Sequence, residues 1–358
     1  MDFKLSSEQD MLRNGLSKFL AGRYDLDRSR AAAKTGAGWQ PEIWRAFADE
    51  LGILGAPLPE SAGGSGGGPV EAMVIAEELG RALVTEPFVD TVVVAGGLLA
   101  RAGGDIAPAV LEQIAAGSAV VAVSLDSLSC NAVRDGDEWV LTGSPAVVLN
   151  APIATHLLIA AQIGDGVGLF LTDAAVPMHS YRTIDDRRAA DLNLDGLRLP
   201  GDALIDGDAA ASVEQARDEG AAAVGAEAVG AMRRVLADTV DYCKQRQQFG
   251  QPIGSFQVLQ HRMVDMYMEL EQAVSAVYLA VLNLGADAPT RARAVSAAKA
   301  TVGRAARFIG QQAVQLHGGM GMTEELAVGH YFKRLTAVQY EYGSTDQHRT
   351  RYAELLRG

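Results

Sequence analysis

Apolar residues recur at helical spacing along the first third of the chain, at strand spacing over a shorter middle stretch, and at helical spacing again to the end. From residue 6 to about 116 the helical period dominates. "SSEQDMLRNGLSKFLAGRY" offers Ser6 or Ser7 as an N-cap and then sets Met11, Leu12, Leu16, Phe19 and Leu20 at helical spacing. "PEIWRAFADELGILG" has Pro in its first turn and Gly at its end, the usual asymmetry of helix termini. The Gly- and Pro-rich "APLPESAGGSGGGPV" cannot continue a helix, and "VEAMVIAEELGRAL" resumes one. Between about 119 and 207 short apolar runs, "EWVLTG" and "THLLIAAQIGDGVGLFLTD", read as strands, with Asp135-Gly136 and Asp165-Gly166 suited to tight hairpin turns. From about 212 onward long helices return. "MVDMYMELEQAVSAVYLAVLNL" places Met263, Met266, Leu270, Val274, Val277 and Val281 on one stripe, read as core, and the Ala-rich "RARAVSAAKATVGRAARFIGQQAVQL" lets neighbouring helices approach closely. The expected fold is α+β and mainly α: an N-terminal helical domain over 1–118, a small antiparallel β domain over 119–208, and a C-terminal four-helix bundle over 209–358.

Composition narrows what such a fold can do. The 358 residues are 48% hydrophobic and 21% charged, ordinary for a globular protein. A net charge of −13 argues against non-specific nucleic-acid binding, which needs a surplus of Lys and Arg to replace counterions on phosphates. The two cysteines, Cys130 and Cys243, stand far apart and in no Cys-x-x-Cys. Neither a disulfide framework nor a structural zinc site is expected, and both are read as buried small apolar residues. The first residues carry acids where a signal peptide needs a basic and then an apolar run, and no apolar stretch reaches the roughly 20 residues of a membrane span. A cytoplasmic protein without membrane contact is the expectation. "GGSGGG" and "GGMG" do not follow a strand and open a helix, so neither is a dinucleotide fingerprint, and no phosphate-loop Gly-Lys-Ser/Thr is present.

Two stretches in the C-terminal segment carry more specific chemistry, "YCKQRQQFGQPIGSFQVLQHRMVDM" (242–266) and "QLHGGMGMTEE" (315–325). Arg246 is a planar cation with forked donors that suit a pyrophosphate. Phe249, three residues on, is expected on the same helix face as a flat surface, with Gly250 ending the helix. Gln315 can hydrogen-bond a nucleotide, and Gly318 and Gly319 let backbone N–H groups approach it. Each also has a plain structural reading, Arg246 as a solvated charge at a helix end and the two glycines as a C-cap. His261 and His317 are read as interface or cap residues, and no metal is implied.

Together with "LGILGAPLPESAGGSGGG" and the tail "YEYGSTDQHRTRY", these stretches resemble the acyl-CoA dehydrogenase family over almost the whole chain and in the same domain order. The resemblance implies an FAD-dependent enzyme that introduces a Cα–Cβ double bond into an acyl-CoA. A carboxylate removes the α-proton while the β-hydrogen leaves as hydride to the flavin. It implies that Arg246, Phe249, Gln315, Gly318 and Gly319 reach across a subunit interface to FAD held mainly by the neighbour, and that an electron-transfer flavoprotein reoxidises the flavin.

The chain departs from the family pattern in two respects, its catalytic base and its flavin-ring contacts. Tyr342 stands just before Gly343, where the catalytic base normally sits, and Glu341 comes one residue early. At the alternative base position, early in the long helix after the β domain, the chain has Gly220 and Ala221, with Glu219 one step short. In the β domain, "VSLDSLSCNAVRDGDEWVLTGS" and "SPAVVLNAPIATHLLIAA" replace the family's Thr-Glu-Pro loop into Gly-Ser-Asp and its Trp-Ile-Thr/Ser strand, so flavin-ring partners are missing. The half-site offered to a neighbour's FAD is intact, while the half-site for the chain's own FAD is eroded. This implies the completing subunit of an α2β2 assembly with a homologous dehydrogenase subunit, acting on a bulky acyl-CoA such as a steroid side-chain thioester. In that case Glu341 is a bystander. The alternatives are a self-sufficient homotetramer that uses Glu341 as base, a flavin-free scaffold subunit, and a flavin monooxygenase or nitroalkane-type oxidase on the same fold, for which no acid is positioned.

Overall fold

The computed structural model describes residues 4–357 except 36, 103 and 105; residues 1–3, 36, 103 and 105 of the segment 1–118, and residue 358, lie outside the described residues. Helices α1 (Ser7–Arg23), α2 (Leu26–Lys34), α3 (Pro41–Asp49), α4 (Pro69–Arg81), α5 (Gly96–Ala102) and α6 (Ile106–Ala115) come first. Strands β1 (Val121–Ser124), β2 (Cys130–Asp135), β3 (Glu138–Gly143), β4 (Val148–Leu149), β5 (His156–Ile163), β6 (Gly166–Asp173), β7 (Met178–Arg182), β8 (Arg188–Leu192), β9 (Leu197–Pro200) and β10 (Leu204–Asp206) follow. Then come α7 (Ala210–Gln245), the hairpin strands β11 (Gln247–Gln248) and β12 (Gln251–Pro252), α8 (Gln257–Leu282), α9 (Ala288–His317), α10 (Val328–Ala337) and α11 (Thr345–Arg357). The fold is therefore mainly helical with a central β region. No helix among the described residues is long and apolar enough to cross a membrane. In space the chain forms two compact units that regroup these segments: residues 27–72 with 85–220, and residues 1–26, 73–84 and 221–358.

The unit of residues 27–72 and 85–220 holds the β region. Its larger sheet runs β10-β6-β5-β2-β3-β9, and β4-β8-β7 form a second sheet. The ladders are mostly antiparallel, but β1 and β2 both pair with β5 in parallel, so the sheet is mixed. Each hairpin turn is displaced by one residue from expectation, the first later in the chain and the second earlier. Asp135 pairs with Glu138 and Ile163 with Gly166, which leaves Gly136-Asp137 and Gly164-Asp165 as the two-residue loops. Positive φ falls on Gly136 (63°) and Gly164 (57°) and not on the Asp that follows, the pattern of type II′ turns. Trp139, Leu141, Ile159, Phe170 and Leu192 form the buried core, with the Trp139 and Phe170 rings edge to face at 5.5 Å. Before α5 the chain makes a π-helix, Phe88–Ala95, where "FVDTVVVA" is apolar at nearly every position and leaves no period to read. Thr91 clamps it to β1: its hydroxyl donates to the Val121 carbonyl (3.0 Å) and accepts from the Val121 N–H (3.2 Å).

The other unit is built on α1, the C-terminal part of α4, most of α7, and α8 to α11. Ser6 caps α1 in a reciprocal box with Gln9. Helices α4 and α7 cross with their backbones in contact. A Cβ on Gly80 would lie 1.9 Å from the Glu227 carbonyl oxygen, and one on Gly230 would lie 1.8 Å from that of Glu77. Helix α9 is the centre of this unit, touching α8, α10 and α11. Its many alanines permit this, and Gly303 receives the Thr345 hydroxyl, which would be 2.2 Å from an added Cβ. Both cysteines are buried and free, and burial pushes the Cys130 thiol up to about 11 and raises that of Cys243.

One buried charge fixes the segment between α10 and α11. Lys299, on the inner face of α9, is 1% exposed. Its Nζ donates to the carbonyls of Val338 (2.9 Å), Gly343 (2.8 Å) and, at longer range, Gln339 (3.5 Å). From the other side the buried His348 Nε2 donates to the Tyr342 carbonyl (2.9 Å). Desolvation lowers the Lys299 ammonium to about 8, opposed by the charge of Glu341 and reinforced by that of Arg334.

Two outcomes follow. Gly230→Ala should destabilise the protein by about 1–3 kcal/mol, because α4 and α7 must separate, seen as a lower denaturant midpoint at unchanged slope. A gain in stability, as helix propensity alone would give, contradicts that contact. For Lys299 the unfolded chain binds more protons than the folded one between the folded value of about 8 and the ordinary 10.5. The lysine's contribution to stability therefore rises with pH through that window. The stability of the wild type relative to Lys299→Met should grow there by at most about 3 kcal/mol, and a difference flat with pH would rule out the buried ammonium.

Candidate functional site

The two motif stretches come together at one end of the helical unit. Tyr242, in the last turn of α7, stacks on His317, the last residue of α9, with ring centroids 4.3 Å apart, and its hydroxyl donates to the His317 carbonyl (3.3 Å). His317 is buried, and its Nδ1 lies 2.8 Å from the Ala313 carbonyl, so it acts as a packing and end residue of α9. Arg246 and Gln315 are exposed on this edge, as are Gly318 and Gly319. His261, near the start of α8, is also exposed.

Phe249 and Gly250 differ from expectation. Helix α7 ends at Gln245, so Arg246 and Phe249 do not share a helix face and Gly250 does not end the helix. Residues 247–252 instead make a two-strand hairpin in which Gln248 pairs with Gln251. Phe249 (φ 55°) and Gly250 (φ 80°) are its turn, both in the left-handed region as a type I′ turn requires. The cause is local: Pro252 cannot continue a helix, and Gly254 packs 3.0 Å, measured from an ideal Cβ, against the Cys243 carbonyl oxygen, which folds the strand back along α7. The Phe249 ring is 92% exposed and stands edge to face with Phe256 at 6.1 Å.

The glycines distinguish internal from external demands. Gly318 caps α9 at φ 59°, a conformation that favours glycine, as the C-cap reading required. Gly319 has no such φ, and nothing lies within 4 Å of the position its Cβ would take. Nothing among the described residues calls for a glycine there, nor for a bare phenylalanine at a hairpin tip. An exposed guanidinium, an amide, accessible backbone N–H groups and a flat aromatic ring form a donor set that fits the phosphates and base of a nucleotide cofactor such as FAD.

Both acids near the two expected base positions are engaged elsewhere. Arg334 of α10 is 3% exposed and sits between two carboxylates. Its Nε and Nη2 donate to Glu227 of α7 (2.8 and 2.9 Å), and its Nη1 and Nη2 to Glu341 (2.5 and 2.8 Å). Four of the five guanidinium N–H groups are thus used on two forks. Both oxygens of Glu341 are thus committed to the buried guanidinium. In the other unit, Glu219 forms its own fork with Arg101 (2.8 and 3.0 Å) and accepts a third bond from Gln215 (3.0 Å). Tyr342, in the base slot itself, stands at φ 53° with its carbonyl held by His348.

In the β region the loop that replaces the expected flavin-contacting segment is turned on itself. The Ser129 hydroxyl donates to the Asp126 carbonyl (2.6 Å), and the Asp126 carboxylate accepts from the Leu128 N–H (3.1 Å). Val147 is 58% exposed at φ 55°, its N–H donating to Asp191 (2.9 Å), which also accepts from the Tyr181 hydroxyl (2.7 Å). Among the described residues no cluster of His, Cys, Asp and Glu could hold a metal.

Sequence reasoning missed Arg334, Glu227, Lys299 and Tyr242. For Lys299 a signal existed: Val295, Lys299, Val302 and Ala306 follow one helical stripe, so the lysine occupies a core position. For Arg334 there was none, because its partners are 107 and 7 residues away in different local structures.

Comparison with known proteins places the chain in a family. Residues 6–118 match the family model for the acyl-CoA dehydrogenase N-terminal domain, and residues 211–356 match that for the C-terminal domain. The chain is 31% identical to acyl-CoA dehydrogenase IpdE2 of Mycolicibacterium smegmatis, covering 92% of this chain and 93% of that one. With IpdE2 of Mycobacterium tuberculosis the identity is 32%, covering 91% and 90%. Among solved structures, a variant of the Tcur3481-Tcur3483 steroid ACAD superposes with a TM-score of 0.90 at 30% identity over 98% of both chains. The ChsE4-ChsE5 complex from Mycobacterium tuberculosis gives 0.93 at 25% identity over 100% of this chain and 99% of that one. The chain belongs to the acyl-CoA dehydrogenase family.

Proposed function

We propose that this chain serves FAD-dependent α,β-dehydrogenation of an acyl-CoA thioester as one subunit of an α2β2 hetero-oligomer, completing the flavin site of a homologous subunit and providing no base of its own. One observation carries the reading: the two acids nearest the base positions are both held in bidentate arginine forks, while Arg246, Phe249, Gln315, Gly318 and Gly319 stand exposed. A general base needs a lone pair within reach of the substrate proton in a water-poor site. Neither Glu341 nor Glu219 offers that without dismantling an ion pair.

The flavin, when bound, supplies the hydride acceptor. This chain's part is recognition. Arg246 meets pyrophosphate with forked donors, and Gln315 reads the nucleotide by hydrogen bonds. Gly319 keeps the approach to the α9 end clear of side chains, and Phe249 gives a flat apolar face. The self-contained loop 126–129 and the lack of an aromatic residue at Val147 accord with a flavin held by the partner. A bulky acyl-CoA, including a steroid side-chain thioester, is the proposed substrate class. It is supported by the likeness to the Tcur3481-Tcur3483 steroid ACAD. An electron-transfer flavoprotein is the proposed electron acceptor, and the cytoplasm the proposed compartment.

The purified chain should be colourless alone and yellow with its homologous partner, at about one flavin per heterodimer, since only one complete half-site pair exists. Flavin at one per chain in the chain alone would instead establish a self-sufficient oligomer, and no flavin in the complex would establish a scaffold. Within the complex, Gly319→Val should leave the unfolding midpoint unchanged and weaken flavin retention by about tenfold or more, because the open space around Gly319 is then filled. Glu341→Gln separates the two roles of that acid. As a strut it should cost about 3 kcal/mol of stability with turnover kept within a few-fold. As a base its loss should reduce turnover by about 10²–10⁴-fold.

A further inference from the structure

Local hydrogen bonds finish the helices on either side of residues 341–343. Before them, the N–H groups of Val338, Gln339 and Tyr340 donate to the carbonyls of Arg334, Thr336 and Ala337 (3.0, 3.3 and 2.9 Å), which closes α10. After them, Ser344 caps α11: its N–H donates to Gln347 Oε1 (2.7 Å) and its hydroxyl accepts from the Gln347 N–H (3.2 Å). Between these ends each residue is held by a side chain from a different helix. Arg334 of α10 holds the Glu341 carboxylate, His348 of α11 the Tyr342 carbonyl, and Lys299 of α9 the Gly343 carbonyl.

This closed arrangement is under tension. Tyr342 stands at φ 53°, a left-handed conformation that costs a tyrosine about 1 kcal/mol. Lys299 is desolvated at 1% exposure. Of the two carboxylates on Arg334, Glu341 is the outer one, its side chain 12% exposed against 4% for Glu227. A swing of the segment between residues 340 and 344 relaxes Tyr342 and returns Glu341 and Lys299 to water, while Glu227 still neutralises Arg334. The charged and titratable groups around Lys299 are Glu341, Arg334 with Glu227 of α7 behind it, and His348. Carboxylates and histidine ordinarily titrate below about pH 7, and tyrosine and guanidinium at about 10 or above. Lys299, lowered by desolvation to about 8, is the group among them that changes charge in mildly alkaline solution.

We propose that residues 341–343 form a gate over Glu341 whose opening is coupled to proton uptake by Lys299. Closed, the segment keeps the lysine dry and Glu341 on Arg334. Open, it hydrates the lysine and frees Glu341 beside the Tyr342 slot. A hydrated lysine keeps its proton to the ordinary 10.5, so mildly alkaline solution favours the closed form and neutral solution permits opening. The gate is a property of the tail itself and does not depend on which subunit carries the base.

Amide exchange of the full chain, followed by mass spectrometry at peptides spanning 338–347, tests it. An opening that takes up one proton becomes about tenfold rarer per pH unit above the closed-form value of about 8, while chemical exchange of an open amide speeds up in proportion to hydroxide. The two cancel. Exchange of these peptides should rise with pH up to about 8 and stay flat beyond it, whereas peptides of α1, whose fraying leaves Lys299 buried, should keep rising. In Lys299→Met the flat region should vanish. In Glu341→Gln, which removes the charge that favours the ammonium, the flat region should begin at lower pH. That second variant carries the test if Lys299→Met does not fold. Exchange over 338–347 that climbs with hydroxide throughout overturns the inference. So does a flat region that survives Lys299→Met, or one that begins at the same pH in Glu341→Gln.

Discussion

The buried guanidinium of Arg334 imposes the constraint on which the tail of this protein depends. At 3% exposure it cannot be hydrated, so its charge has to be met within the fold. Glu227 meets it from α7 and Glu341 from the segment after α10. That brings two carboxylates together, and the Lys299 ammonium, which the charge of Glu341 stabilises, balances the second. The cluster of two acids and two bases is neutral as a whole. Removing any one member leaves a buried charge unmatched, which is why such clusters hold geometry tightly even when their net contribution to stability is small. The geometry held here is that of residues 338–343, with Tyr342 forced to positive φ and its carbonyl turned to His348.

That constraint commits both carboxylate oxygens of Glu341, whatever its place in the sequence suggests. By sequence it is one residue from the base slot, close enough for a backbone adjustment to bring it there. In the fold the adjustment is closed off, because both carboxylate oxygens serve Arg334. Glu219 is one residue from the other slot and bound in the same way to Arg101. The shared pattern, an acid displaced by one residue and then used as a counter-ion, makes each displacement a structural commitment.

What the sequence revealed and concealed follows the range of the interactions involved. Capping and period are local, so Ser6 of α1, Pro41 of α3 and the core side of α8 were legible. The strand runs were legible too, but the hairpin turns moved by one residue, because Gly at the first loop position satisfies a type II′ turn where Asp-Gly had suggested the reverse order. Parallel pairing of β1 and β2 with β5 joins segments with no turn between them and left no local trace. The helix expected through Phe249 failed for a mixed reason: its breaking residues, Gly250 and Pro252, were visible, but the return of the strand along α7 depends on Gly254 fitting against Cys243. Of the site, the motif residues were visible as candidates, while the stacking of Tyr242 on His317 that joins their two stretches left no signal in the sequence.

The division between inward and outward commitments is the final step. Every unusual feature of the Arg334 cluster is explained by needs inside the protomer: each charge has a partner, and each strained residue has a bond that holds it. Two features at the other edge are not explained that way. Phe249 adopts positive φ to place an apolar ring in water, and Gly319 forgoes a side chain where one would fit. Positive φ in a phenylalanine costs about 1 kcal/mol, and an exposed ring gains nothing from burial, so within one chain these choices are unfavourable. They become favourable only when something outside the chain covers them. An internal constraint occupies the acids and an external one leaves Arg246, Phe249, Gln315 and Gly319 bare, and on that division the proposed completing role rests.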